Sequence, residues 1–458
     1  MRLTDEQLLS QLVQALEDPG AKEAMAPLLE EIQPYDLSEA LQALPEEQAL
    51  GVLGLVPPAI AAESLGHLEF ALQYRLLHHL PEPVARTILE EMSSDDVADL
   101  VLAIHPRQAE QLLKLMPPAM VAAVRRLAEY PENTAGGRMT VDYISVRQQM
   151  TAEQVLAHIR KVGNEADIVN YIYVVDVAGR LTGVLSLREL IMAAPKQSIA
   201  EVMNESVVSV PATMDQEEVA EVVSNYDFIA VPVVGPDNRL LGVVTVDDVI
   251  DVIQEEATED VLRLGATSVP EDVDTRSFWN QVWGLAKPRL PWLISLLFLE
   301  MGSSVIVGWF SGLVTPAIAA MLAMFTVVMS GETGNAATQS LAVVVRGLAT
   351  GEIEEKDMPR VVLREALVGL VVGVLTGSVL FLTAFLWEQN VRFGLSVGLA
   401  LAANLLIAKI LGGLFPVIIQ RMGIDPAVAS GPFITTLTDN SSVFIYYGVA
   451  ALILKALA

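Results

Sequence analysis

The chain has no cysteine and only five histidines. Without cysteine there is neither a disulfide framework nor a thiolate metal site. His67, His78, His79, His105 and His158 show no ligand spacing such as H-x-x-x-H, and the adjacent pair reads as helix surface. No G-x-x-x-x-G-K-[ST] loop is present, so no ATP-driven motor is legible. No Ser/His/Asp or Cys/His arrangement points to catalysis, and the chain is read as a non-enzyme. Met1 to Gly20 lack the apolar run of a signal or transit peptide, so the N-terminal mass is expected to stay cytosolic. Positive charge is scarce as well. There are 28 Lys+Arg against 56 Asp+Glu, a net charge of −28.

That imbalance is not spread evenly. Residues 1–280 hold 18 basic and 46 acidic residues, whereas residues 281–458 hold 10 of each. The first part has the composition of a soluble acidic domain. Such a surface repels nucleic acid and attracts cations.

The second part is apolar. Segments 290–310, 314–345, 361–387, 393–419 and 427–454 each reach the ~20 residues a spanning helix needs. The second is interrupted by the polar run Ser330 to Ser340, a candidate break. Lys287 and Arg289 precede the first span. Arg346, Lys356, Arg360 and Arg364 flank the connection of the second to the third, and Arg421 follows the fourth. The opposite side holds only Arg392 and Lys455. This bias places the N-terminus inside and the C-terminus outside. Glu300, Asn404, Lys409 and Asp439 are among the few polar residues within spans. A charge near the bilayer centre costs ~2.5–3.5 kcal/mol, so Asp439 reads as facing a polar cavity on an ion path. The plainer alternative is a solvated turn between two helices. Asp425-Pro426 is expected to begin the fifth span, with Pro426 in the first helical turn.

Residues 1–135 read as an all-helical solenoid. Leu-Pro at 44–45 and 80–81 and Met-Pro at 116–117 recur at a spacing of 36 residues. A turn-rich linker follows, Pro131 to Gly137. Residues 138–257 carry a duplication: 176–186 resembles 235–245, displaced by 59. Each copy reads strand–turn–strand–helix, with 138–199 and 200–257 as the two halves. This resembles a pair of CBS modules. Thr245 and Asp248 match that family's adenosine-binding ending, whereas the first copy has Glu189 at the ribose position. Asp247, Asp248, Asp251, Glu255, Glu256, Glu259 and Asp260 fall on one expected helix, and Asp95, Asp96 and Asp99 form a second acidic cluster. Like charges at i, i+4 destabilise a helix, and a divalent cation would neutralise them. Residues 258–286 are expected to form a connecting helix and linker, and 287–458 a five-helix membrane domain.

Over essentially its full length the chain resembles the MgtE family of magnesium channels and transporters. The specific stretches are Asp425 to Pro432, Thr435 to Asp439 and Lys287 to Leu293. The run Gly334-Asn335 to Gln339 is similar to a family motif, with Thr333 and Ala337 at glycine positions. The resemblance implies a homodimer in a bacterial-type inner membrane, in contact with lipid. It implies that Mg²⁺ is both transported and regulatory, with ATP or another adenine nucleotide accommodated at the CBS pair. It assigns Asp439, Asn335 and Gln339 to the pore. It assigns Asp95, Asp99, Glu63, Glu217, Asp227, Asp248, Asp251, Glu256, Glu259, Asp260 and Asp425 to regulatory Mg²⁺. Two other readings stand beside it. One is a secondary transporter for Mn²⁺ or Co²⁺. The other is a membrane-anchored adenine-nucleotide sensor without transport.

Overall fold

A computed structural model describes residues 5–17, 27, 29–162, 168–267, 278–349, 352–353, 355–422, 425 and 431–454. The chain divides into two compact units, Met1–Gln254 and Glu255–Ala458.

The first unit opens with short helices. The 36-residue repeat marks where helices restart: Glu46–Leu53, Glu82–Glu91 and Pro118–Leu127 follow N-cap residues Pro45, Pro81 and Pro117. Proline suits this place because its missing N–H belongs to the unpaired first turn. Three short helices fill each of the first two repeats. Their apolar faces share one core with the second half of the duplication, running from Leu12 and Leu37 to Val231 and Val249. The turn-rich linker is tied to that half, with the N–H of Ala135 donating to Met214 O at 2.8 Å and that of Gly136 to Ala212 O at 2.9 Å.

Each half of the duplication builds a three-stranded sheet. β1 (Tyr143–Arg147), β2 (Ile168–Val175) and β3 (Leu181–Ser186) form one; β4 (Val210–Pro211), β5 (Ala230–Val234) and β6 (Leu240–Thr245) form the other. In both, the first strand runs parallel to the second and the second antiparallel to the third. The displacement of 59 survives in the turns. Gly179 and Asn238, at equivalent positions, have φ of 79° and 56°. Glycine and asparagine are the residues that best tolerate this left-handed backbone. The two turns also bond each other: Leu181 N–H donates to Asn238 O at 2.9 Å, and Leu240 N–H to Gly179 O at 3.1 Å.

A single helix, Val246–Leu264, carries all seven acidic residues of the expected cluster and crosses the boundary between the two units. A second helix, Phe278–Ala286, precedes the first span.

Among its described residues the second unit has five helices long and apolar enough to cross a membrane. These are span 1 (Leu290–Ser311), span 2 (Pro316–Ala349), span 3 (Met358–Glu388), span 4 (Val391–Arg421) and span 5 (Gly431–Leu454). One expectation is corrected here, and one alternative is set aside. Span 2 is not broken at Ser330 to Ser340; its 34 residues form one helix. The polar run stays helical because its hydroxyls bond back to the preceding turn. Thr333 donates to Met329 O at 2.6 Å and Thr338 to Gly334 O at 2.9 Å. Asp439 is likewise not in a turn, because span 5 begins at Gly431 and carries it mid-helix. Asp425 lies before that helix. Residues 426–430, with the expected first-turn role of Pro426, lie outside the described residues, as do Met1 to Thr4, 18–20 and Lys455.

Spans 3 and 4 meet through glycine. Gly369, Gly373 and Gly377 lie four residues apart on span 3, and a Cβ added at Gly377 would stand 2.6 Å from Gly398 O. Small residues at this spacing let membrane helices pack backbone to backbone.

Candidate functional site

Span 5 presents Asp439 beside a run of hydroxyls. Thr435, Thr436 and Thr438 each satisfy their own hydroxyl with a backbone oxygen one turn back, at 2.8, 2.9 and 2.9 Å. The Ser330 hydroxyl of span 2 bonds the Asp439 carboxylate. Its Oδ1 is buried without any hydrogen-bond partner. A buried carboxylate oxygen left open costs the desolvation of that group, so the position favours a cation or a hydrated cation. The next residue fixes the neighbouring helix: Asn440 Nδ2 donates to Leu299 O at 3.1 Å, and its Oδ1 accepts from Ser303 Oγ at 3.1 Å.

A cleft of about 640 Å³ opens at this point. Asp439, Thr435 and Thr436 line it from span 5, Thr338 from span 2 and Glu300 from span 1. The sequence marked Glu300 only as a polar residue in a span. Its place beside Asp439 follows from how spans 1 and 5 pack. The expected pore residues Asn335 and Gln339 are exposed on span 2 and are not brought into this lining. Gln339 instead accepts from the buried Lys409 Nζ of span 4 at 3.2 Å. One residue on, Ser340 donates to the buried Glu365 of span 3 at 2.7 Å. Of the two departures from the glycine motif, Thr333 is buried against its own helix. Ala337 meets span 4 at Gly412, where an added Cβ would lie 2.2 Å from Ala337 O.

The acidic face of the first unit is built by two helix starts. Helix Ser94–Ala103 carries Asp95, Asp96 and Asp99, and helix Val246–Leu264 carries Asp247 and Asp248 in its first turn. Burial raises the pKa of Asp95, Asp96, Asp99 and Asp248, and neighbouring carboxylates add to the effect at Asp95, Asp99 and Asp248. Asp99 is pushed up to about 7, with Arg138 pulling the other way. Asp95 and Asp248 repel one another, which places the two helix starts on one face. Asp95 Oδ1 is buried with no hydrogen-bond partner.

Other expected ligands are dispersed. Glu63 is exposed on helix Pro58–Gly66, whose last turn meets the Asp96 carboxylate. Glu217 and Asp227 lie at opposite ends of helix Gln216–Tyr226, both exposed. Ten residues of helix separate them by ~15 Å, too far to share one ion. Asp251 is exposed, and Glu256 half-buried. Among the described residues no three His, Asp or Glu converge to hold a metal ion directly.

In the second unit Asp260 is raised first by burial and then by Asp425 and Glu256. Between Glu259 and Asp425 stands Arg263, bonded to both. Sequence reasoning passed over Arg263, although its i+4 relation to Glu259 was the available signal. At the expected ribose position, Thr245 Oγ1 donates to Asp248 Oδ2 at 2.6 Å. Ser186 and Glu189 repeat this cap in the first copy, at 2.8 Å.

Comparison with known proteins places these features in context. A family model for a divalent cation transporter matches residues 326–449. A model for an intracellular N domain matches 32–133, and one for CBS domains matches 135–196 and 199–255. The chain is 41% identical over 455 residues to a Thermus thermophilus protein, the magnesium transporter MgtE, covering 99% of this chain and 100% of that one. It is 34% identical over 455 residues to the Bacillus subtilis magnesium transporter MgtE, covering 99% of each. A crystal structure of the cytosolic domain of the Mg²⁺ channel MgtE in complex with ATP is 46% identical, with a TM-score of 0.50. It covers 53% of this chain and 99% of its own. The soluble part of a magnesium transporter is 31% identical, with a TM-score of 0.52, covering 56% of this chain and 100% of its own.

Proposed function

The chain belongs to the MgtE family of magnesium transporters, and from that premise we propose that it is a Mg²⁺ channel closed by cytosolic Mg²⁺. The carrying observation is Asp439: a carboxylate in the middle of a spanning helix, with one oxygen unsatisfied, at a cleft between spans. Mg²⁺ sheds its water reluctantly and is commonly held through it by one or two carboxylates. A site of Asp439 with Glu300 as its acidic neighbour, beside threonines, suits a hydrated ion. In a homodimer two copies of Asp439 would face one ion of charge +2. Entry needs no motor, because a potential of 100 mV contributes ~2.3 kcal/mol per charge. In this reading Asn335 and Gln339 act next to the site, and Lys409 holds Gln339 in place.

Regulation rests on the acidic faces. Asp95 repels Asp99 and Asp248 when ionised, and Asp260 is repelled by Glu256, Glu259 and Asp425, while Glu63 extends the acidic surface of the first unit. Asp251, Glu217 and Asp227 extend the negative surface. Since no three acidic side chains converge among the described residues, bridging by hydrated Mg²⁺ fits this surface better than a tight inner-sphere site. High cytosolic Mg²⁺ then favours the compact, closed form, as a ligand that binds one state better shifts the population toward it. ATP or another adenine nucleotide would reach Thr245 and Asp248 by competing with their mutual hydrogen bond. The protein sits in a bacterial-type inner membrane, surrounded by lipid, with its C-terminus outside.

The test is Mg²⁺ flux into liposomes holding the purified full chain, wild type beside Asp439→Ala. Flux in the wild type and its loss in the folded variant is the expected result. No flux in either, under a steep inward Mg²⁺ gradient, overturns the reading in favour of a nucleotide sensor. Equal flux of Mn²⁺ or Co²⁺ in competition overturns the Mg²⁺ assignment alone.

A further inference from the structure

Helix Phe278–Ala286 has no buried residue. Its apolar side chains are nonetheless large: Phe278 is 70% exposed, Trp279 74% and Trp283 63%. At 3.6 residues per turn, Phe278, Trp279, Val282, Trp283, Leu285 and Ala286 fall within an arc of about 160°. Asn280, Gln281 and Gly284 occupy the remainder. So complete a separation of faces is the mark of a helix that lies along a boundary between water and an apolar phase.

The neighbouring chain supplies the boundary. Lys287 N–H donates to Trp283 O at 2.9 Å, Arg289 N–H to Ala286 O at 3.1 Å and Leu293 N–H to Arg289 O at 3.1 Å. The helix therefore passes through one tight turn into span 1, which starts at Leu290. It has no length of loop with which to leave the level where the chain enters the membrane. That turn carries Lys287 and Arg289, two cations at headgroup height. Trp292, 40% exposed, stands just inside span 1. Tryptophan concentrates at this level because its ring is apolar and its N–H seeks a polar partner.

We infer that Phe278–Ala286 is an interfacial helix that seats its Phe278, Trp279, Val282 and Trp283 face in the cytosolic leaflet, with Lys287 and Arg289 on anionic lipid headgroups. The occupant of this face is the bilayer, rather than a second copy of the chain. The proposal rests only on the spans being in a membrane. It stands or falls separately from Mg²⁺ gating.

The absence of cysteine makes the test direct. Single cysteines at 279, 280, 281, 282, 283 and 284 in the full chain are labelled with a nitroxide. The variants are reconstituted in vesicles of phosphatidylethanolamine and phosphatidylglycerol. Collision with oxygen reports lipid, and collision with a nickel chelate reports water. The expected oxygen-to-nickel ratio oscillates with helical period, several-fold higher at 279, 282 and 283 than at 280, 281 and 284. Nickel-dominated collisions at all six positions would place the helix in water and overturn the proposal. Low collision with both agents at 279, 282 and 283 would show a protein partner and overturn it too. Any variant that fails to reconstitute is bypassed with the unlabelled chain in brominated lipid. There Trp279→Phe with Trp283→Phe should remove most of the interfacial quenching, and unchanged quenching would count against the proposal. Replacing phosphatidylglycerol by phosphatidylcholine should lower the ratio at 279 and 283; no change would overturn the electrostatic part.

Discussion

Asp99 and Asp439 are both carboxylates drawn away from water, yet their surroundings differ in kind. Asp99 belongs to a crowd, with Asp95, Asp96 and Glu132 all raising its pKa. Asp439 stands among threonines and Ser330, with Glu300 as its acidic neighbour. A crowd of like charges stores repulsion that a cation relieves, so it responds to cation concentration. A near-solitary carboxylate in an apolar wall holds one ion and lets it go. In the proposed function the same functional group serves as sensor in one unit and as pathway in the other.

The sharpest way to break this comparison is to treat both sites alike. Asp439→Asn should lower Mg²⁺ flux by about 10- to 100-fold, the loss of ~1.5–3 kcal/mol of charge-assisted hydrogen bonding to the ion's water at 1.4 kcal/mol per decade. Asp95→Asn with Asp99→Asn should leave open-state flux intact and weaken Mg²⁺ binding on the order of tenfold, read by titration calorimetry on the full chain. Flux lost in both would mean that the two sites do not divide the labour.

A proton should partly replace the cation in the crowd. Asp99 is raised from the ordinary carboxylate value to about 7 when folded, so the folded state binds more protons across that interval. Its contribution to stability is then full below about pH 4 and falls as pH rises through about 7. Without divalent cations, melting of the acidic unit in the full chain should move to lower temperature between pH 5 and pH 7.5. Asp99→Asn should recover about 2–4 °C for each kcal/mol removed. Saturating Mg²⁺ should flatten the pH dependence. The smallest effect is expected at Arg263, a partly exposed ion pair worth about 0.2–1 kcal/mol. Arg263→Gln should shift the Mg²⁺ midpoint for closure by no more than about fivefold.

Much of this architecture was legible in the chain. Proline at a spacing of 36 marked the helix starts, and a displacement of 59 carried over to the turns at Gly179 and Asn238. The five spans declared themselves by length and apolarity. The continuity of span 2 did not, because a polar run looks like a break until its hydroxyls are seen bonding back along the helix. Glu300 and Arg263 were not assigned for a related reason: their roles come from partners 139 and 162 residues away in sequence, Asp439 and Asp425. Periodicity reports which face a residue occupies, but not which distant residue will face it.

The glycines of span 3 have a mechanical consequence. At Gly377 the backbone of span 4 comes so near that even a methyl group would meet a carbonyl. Rotating span 3 until Thr376 or Ser378 faced that contact would set a side chain where a carbonyl already stands. Spans 3 and 4 therefore form a frame without play. Any widening or narrowing of the proposed ion path is then left to spans 1, 2 and 5, whose mutual contacts include hydroxyls and amides able to exchange partners.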